Sequence, residues 1–104
     1  RPHRDYLPDS DPSLTQPTAG SGTGAGNRAA TTVVYLNDVS EGGETDFPEL
    51  GQRVRPQAGY AASWRNLHRN GIRDPRSLHT GMPVIAGEKW LSTLWIRERP
   101  LRAW

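Results

Sequence analysis

The 104-residue chain contains no cysteine, which excludes a disulfide framework, a thiolate zinc site, an iron–sulfur cluster and a cysteine nucleophile. Any metal it holds must be bound through nitrogen and oxygen. Lysine is nearly absent too, because 12 of the 13 basic residues are arginine and the one lysine is Lys89. No apolar run approaches the roughly 20 residues that a membrane-spanning helix needs. The length fits one small domain, residues 1–104, and leaves no room for a large multidomain enzyme. The chain opens Arg1-Pro2-His3 with no initiator Met, so a trimmed targeting segment or a longer N-terminal region is compatible with it, and the compartment stays open.

What is present is unevenly spread. Residues 1–52 hold three Arg against eight acids, and residues 53–104 hold nine Arg and one Lys against three. A basic half suits nucleic acid or a small anion. Arg53, Arg55, Arg65, Arg69, Arg73 and Arg76 lie in turn-rich sequence, however, and read as a solvated surface rather than a nucleic-acid footprint. Residues 7–27 (LPDSDPSLTQPTAGSGTGAGN) carry almost no large apolar side chains and read as a flexible loop, either a plain insert or a lid over a site.

Beyond that loop the pattern is β. Ala29–Leu36 is β-branched and aromatic, ending at an Asn37-Asp38 turn, and short strands are expected at Thr45–Phe47, Gln52–Arg55, Gly59–Trp64, Ser77–His79, Met82–Ile85 and Lys89–Arg97. No window has a helical period. Short strands with turns between them predict an all-β sandwich or barrel, here a jelly roll. In the last strand, alternation puts Lys89, Leu91, Thr93, Trp95 and Arg97 on one face and Trp90, Ser92, Leu94 and Ile96 on the other. The second set is apolar. The first mixes a cation, a hydroxyl and an indole, as the wall of a ligand cavity would, although a wet outer face would look similar.

His3-Arg4-Asp5 puts an imidazole and a carboxylate two residues apart, on one side of an extended segment, and His79 lies 76 positions later. Two His and one carboxylate form the facial ligand set of non-haem iron(II) oxygenases, which leaves coordination positions open. A surface His beside an Asp is the plainer alternative. His68 is the rival third ligand, but it sits in the polar turn Asn66-Leu67-His68-Arg69-Asn70-Gly71 and is expected to be solvated. Lys89 follows His79 by ten residues. Two antiparallel strands joined by a turn would bring that cation to the same cavity, opposite a carboxylate of a metal-bound cosubstrate.

These residues, with Arg28-Ala29-Ala30-Thr31, Tyr35-Leu36, Glu41-Gly42-Gly43-Glu44-Thr45-Asp46-Phe47-Pro48, Pro56-Gln57-Ala58-Gly59, Gly87-Glu88-Lys89-Trp90 and Trp95-Ile96-Arg97, give the chain its family likeness. It resembles the prolyl 4-hydroxylase branch of the iron(II) and 2-oxoglutarate-dependent dioxygenases over most of its length. The resemblance implies a double-stranded β-helix with Fe(II) held by His3, Asp5 and His79. It further implies that Lys89 binds the distal carboxylate of 2-oxoglutarate, that Thr45 hydrogen-bonds it, that Trp95 lines its pocket and that Arg28 contacts peptide substrate. The implied activity is hydroxylation of a peptidyl proline, with O2 as cosubstrate, succinate and CO2 as products and ascorbate as reductant. Tyr60 and Trp64 depart from the Asp and Phe common in the family, which reshapes the wall beneath the site. The family also has a strand and bracing helices before the first ligand, so the chain is expected to be a catalytic-core fragment with an exposed sheet edge and apolar face. An oxygenase acting on a free amino acid, a jelly-roll binding module without catalysis and an arginine-driven nucleic-acid binder are the alternatives.

Overall fold

A computed structural model describes residues 2–8, 10–11 and 26–99. Among the described residues eight strands run in chain order: β1 (Arg28–Tyr35), β2 (Glu41–Gly42), β3 (Thr45–Phe47), β4 (Gln52–Val54), β5 (Ala61–Arg65), β6 (Thr80–Gly81), β7 (Val84–Ala86) and β8 (Leu91–Arg97). The sole helical element among the described residues is a 3-10 turn at Pro75–Ser77.

The pairing is nested. β1 pairs with β8, β2 with β7 and β3 with β6, all antiparallel, so the last three strands retrace the first three in reverse. A long two-stranded ribbon folded on itself in this way is a double-stranded β-helix, the jelly roll expected from the sequence. β5 is added beside β1 and β4 beside β3, giving the sheets β5-β1-β8 and β4-β3-β6, with β2-β7 between them along the chain. The two three-stranded sheets meet through side chains. The Tyr35 hydroxyl on β1 lies 2.8 Å from Thr45 Oγ1 on β3, and the Phe47 ring on β3 meets the Trp64 ring on β5 edge-on at 4.9 Å. Val33, Tyr35, Val39, Phe47 and Leu67 are buried.

Local chemistry explains the sharp turns. Within Glu41-Gly42-Gly43, Gly42 has φ +80°, where a side chain would be strained and its Cβ would run into the carbonyl of Pro83 on the facing strand. Asn37 closes the end of β1. Its side chain accepts from Trp90 N at 2.7 Å and donates to the carbonyl of Glu88 at 2.7 Å, tying the entry of β8 to the exit of β1.

Several expected boundaries move. Ser77–His79 is not a strand: Asp74 caps a turn that Pro75 begins, and His79 is left in an isolated bridge to His3. Met82–Ile85 shifts to Val84–Ala86 because Pro83 has no N–H, and its carbonyl instead receives Gly43 N at 3.0 Å. Gly59–Trp64 begins two residues later, at Ala61, behind the Gly59 turn at φ +81°. Lys89 and Trp90 precede β8 rather than belonging to it. His79 and Lys89 are not on one hairpin, since β6, β7 and β8 each pair with a different partner. The loop at 7–27 is anchored further in than expected. Leu7 and Asn27 are both buried, Leu7 N donates to Asn27 Oδ1 at 2.6 Å and Asn27 Nδ2 to the Leu7 carbonyl at 3.0 Å. The stretch 12–25 of that loop lies outside the described residues.

Not every arginine of the basic half is simply solvated. Arg73 is half-buried and donates to the Leu7 carbonyl at 2.8 Å, and Arg76 donates to Asp74 at 2.8 Å. No helix among the described residues is long and apolar enough to cross a membrane.

Candidate metal and cosubstrate site

His3 and His79 are brought together by backbone. His3 N donates to the His79 carbonyl at 2.8 Å and His79 N to the His3 carbonyl at 2.9 Å, a closed antiparallel pair that sends both side chains to one side. The ring centroids are 4.3 Å apart. Asp5, two residues beyond His3, projects to the same side, with Oδ1 3.5 Å from His3 Nε2 and 3.6 Å from His79 Nε2. One candidate ligand atom from each of His3, Asp5 and His79 lies within 4.8 Å of the other two. Asp5 and His79 are buried, and His3 is exposed at the edge of the group.

The donor chemistry suits a cation. His79 Nδ1 is 2.8 Å from the Ser77 carbonyl, an acceptor, so that nitrogen carries the proton and Nε2 keeps its lone pair toward Asp5. Burial pushes the His79 pKa below the ordinary histidine value, outweighing the hydrogen bond to Ser77 and the Asp5 charge, which act the other way. Neutral imidazole is the form that binds a metal. Two imidazole nitrogens and one carboxylate oxygen at this spacing fit a divalent ion such as iron(II).

The cluster opens on a cavity of about 170 Å³ lined also by Thr31, Val33, Thr45, Trp64, Gly81, Lys89, Leu91, Thr93 and Trp95. The mixed face of β8 therefore lines a cavity, and the apolar face, with Leu94 and Ile96, is exposed, as is Trp90 just before the strand. Lys89 is half-buried, with its ammonium 5.8 Å from the Tyr35 ring centroid. Desolvation lowers its pKa, against the pull of Glu44. A partly desolvated ammonium has the charge to pair with a carboxylate.

Thr45 is buried beside it and shares its hydroxyl with Tyr35. Trp95 lines the cavity, and its indole nitrogen lies 3.4 Å from Asp5 Oδ2. Arg28 does not line the cavity. Its guanidinium stacks on Trp95, 3.8 Å from the ring centroid. His68 is exposed, with Nδ1 3.8 Å from Asp74, and takes no part in the cluster. Trp64, one of the departures from the family pattern, sets its ring 4.7 Å from that of His79 and has a buried indole N–H without a partner.

Three further residues, Tyr35, Thr31 and Asn66, support the site without having been assigned a role in it from the sequence. Thr31 Oγ1 donates to Asp5 Oδ2 at 2.8 Å, and Asn66 Nδ2 donates to Thr31 Oγ1 at 2.8 Å. The available signal for the first two is the alternation Thr31, Val33, Tyr35 within β1, which puts two hydroxyls on the buried face of the strand.

Fold and site together define a jelly-roll protein with an imidazole–carboxylate cluster and a single lysine in one cavity. A family model of the 2OG-Fe(II) oxygenase superfamily matches residues 1–97, and the chain belongs to that family. It is 45% identical over 84 residues to human prolyl 4-hydroxylase subunit alpha-1, a match that covers 81% of this chain and 16% of the human one. It is 46% identical over 74 residues to the chicken alpha-2 subunit, covering 71% of this chain and 14% of that one. A viral collagen prolyl hydroxylase from Paramecium bursaria Chlorella virus-1, solved as a 2OG complex, superposes with a TM-score of 0.72 at 32% identity. That superposition covers 92% of this chain and 50% of the viral one. The match thus spans about one sixth of the length of the alpha-subunit relatives.

Proposed function

We infer that this chain carries the iron(II)- and 2-oxoglutarate-binding core of a prolyl 4-hydroxylase-like dioxygenase. The observation that carries this reading is the convergence of His3, Asp5 and His79 within 4.8 Å on a cavity that also receives Lys89. Iron(II) with 2-oxoglutarate and O2 supplies the oxidative chemistry, in which the diacid becomes succinate and CO2, one oxygen atom enters succinate and the other enters a C–H bond of the substrate.

The protein's own part is binding and orientation. His3 and His79 offer neutral nitrogens and Asp5 an ionised oxygen from one side, which leaves the other side of the ion to cosubstrates. Lys89 holds the far carboxylate of 2-oxoglutarate, and the Thr45 hydroxyl, kept in place by Tyr35, adds a hydrogen bond to it. Trp95 forms the wall between that diacid and Arg28. Arg28, its guanidinium 3.8 Å from the Trp95 ring centroid, contacts the proline-containing peptide.

Succinate release tests this reading, with iron(II), 2-oxoglutarate, ascorbate and a proline-rich peptide supplied and the peptide mass followed. A gain of one oxygen on proline with stoichiometric succinate is expected, and neither product should form with His79→Ala. Oxygen on a free amino acid instead of the peptide would move the substrate assignment to a small molecule. Absence of succinate from protein that binds both iron and 2-oxoglutarate would reduce the site to a binding module.

A further inference from the structure

We propose that Thr31 and Asn66 form a buried relay that turns the Asp5 carboxylate so that Oδ1 alone is presented to His3 and His79, making both of them positioning residues for the metal centre inferred above, on which this step rests. Thr31 sits in the middle of β1, in register with Trp64 of β5 on one side and Trp95 of β8 on the other. Thr31 is 1% exposed and Asn66 0%, so both lie away from bulk solvent.

The direction of each proton follows from what the groups can do. An ionised carboxylate only accepts, so the 2.8 Å contact between Thr31 Oγ1 and Asp5 Oδ2 is made by the threonine proton. That proton is then committed, and the second 2.8 Å contact to the same oxygen must come from a donor, which is the Asn66 amide nitrogen. The amide is held in this sense even though its own oxygen is buried without a partner. Flipping it would set two oxygens facing each other with no proton between them. An orientation kept despite an unpaired buried oxygen points to the one thing it secures, the aim of the Thr31 hydroxyl.

Asn66 itself cannot drift. Its N–H donates to the Ala29 carbonyl on β1 at 2.8 Å, and its carbonyl accepts from Asp74 N at 2.9 Å. Trp95 Nε1 adds a longer contact to Asp5 Oδ2 at 3.4 Å. Oδ2 is therefore held by the protein, and Oδ1, 3.5 and 3.6 Å from the two imidazoles, is the oxygen left for a cation.

The test is calorimetric titration of Mn²⁺ alone into the protein and into Thr31→Val, Thr31→Ser and Asn66→Asp, each checked for its melting transition. Thr31→Val keeps the shape and removes the donor, and should weaken Mn²⁺ binding by about tenfold or more. Thr31→Ser restores the hydroxyl and should return the affinity to that of the parent. Asn66→Asp offers the threonine proton a competing acceptor and should weaken binding as well. Should Thr31→Val fail to fold, Asn66→Asp carries the same test with the hydroxyl still in place. Parent-like affinity in folded Thr31→Val or folded Asn66→Asp overturns the relay. A parent protein that binds no Mn²⁺ overturns the metal reading itself, and the relay falls with it.

Discussion

On its cavity side the β5-β1-β8 sheet presents Thr31, Val33 and Tyr35 from its central strand, with Trp64 and Trp95 from the flanking strands. On the other side the same strands present Thr32, Val34, Leu94 and Ile96. The inner face buries Thr31, Val33 and Tyr35 and leaves Trp95 45% exposed at its end, while Leu94 and Ile96 on the outer face are 59% and 48% exposed. Buried polar groups are costly unless each has a partner. The inner face pairs its hydroxyls, Thr31 with Asp5 and Tyr35 with Thr45, and leaves the Trp64 indole N–H as its unpartnered buried group, whereas the outer face is bound by no such constraint. Sequence change should therefore be penalised on and beneath the inner face and tolerated on the outer one.

The largest effect should come from the groups the inner face supports. Asp5→Ala or His79→Ala should lower Mn²⁺ affinity by more than about a hundredfold, beyond what loss of an outer hydrogen-bond partner costs. Titration calorimetry checks this, and retained binding in either variant would remove that residue from the ligand set. Next comes Lys89→Ala, which should cost about 2 to 5 kcal/mol of 2-oxoglutarate binding with metal affinity retained. The pH dependence has two opposite signs. Because burial lowers the Lys89 pKa in the folded protein, the unfolded chain holds its proton to higher pH, so stability without ligand rises as pH climbs from the folded toward the unfolded pKa. Over the same window the ammonium is lost and 2-oxoglutarate affinity falls, earlier than for an exposed lysine. Parallel trends in melting temperature and affinity would contradict the assignment of Lys89.

A smaller effect is expected at the turn that delivers His79. Asp74 caps Pro75–Ser77, and its carboxylate is lowered to about 2, first by the side-chain hydrogen bond from Arg76. Its contribution is complete above the unfolded pKa near 3.8 and is lost as pH falls through the folded value, over roughly pH 4 to 2. Arg76 is largely exposed, so the ion pair itself adds little, and Asp74→Ala should cost about 1 kcal/mol through the lost cap. Chemical denaturation at pH 7 and pH 2.5 tests it, because the gap between parent and variant should shrink at the lower pH.

The sequence made some of this legible. A β-branched run such as TTVVY identifies its own strand, and His-X-Asp fixes its own side of an extended segment, because both are local relations. The lysine stood out by being alone among arginines. What stayed hidden depended on pairing between distant strands. Thr31 becomes the partner of Asp5 only through contacts across 26 residues, and Asn66 reaches Thr31 across 35. Asn66 in a polar turn gave no sign of burial, since nothing local says that its backbone is pinned to Ala29. The Ser77–His79 strand was misread for a related reason: alternation there suggests extension, but the Asp74-Pro75 cap dictates a turn.

The smallest effect is expected on the outer face, and it sharpens the comparison most. Leu94→Thr replaces an apolar side chain that is more than half exposed, keeps β propensity and removes no hydrogen bond. Its direct cross-strand neighbour is Thr32, so a Thr–Thr pair takes the place of Thr–Leu. Little burial is lost, and the stability change should stay within about 0.5 kcal/mol by denaturant titration. Solubility should rise as the exposed apolar surface of Trp90, Leu94 and Ile96 shrinks. A loss comparable to that of an inner-face substitution would mean that Leu94 is covered in the protein under the conditions of measurement, and the contrast between the two faces would then be one of what covers them rather than of exposure.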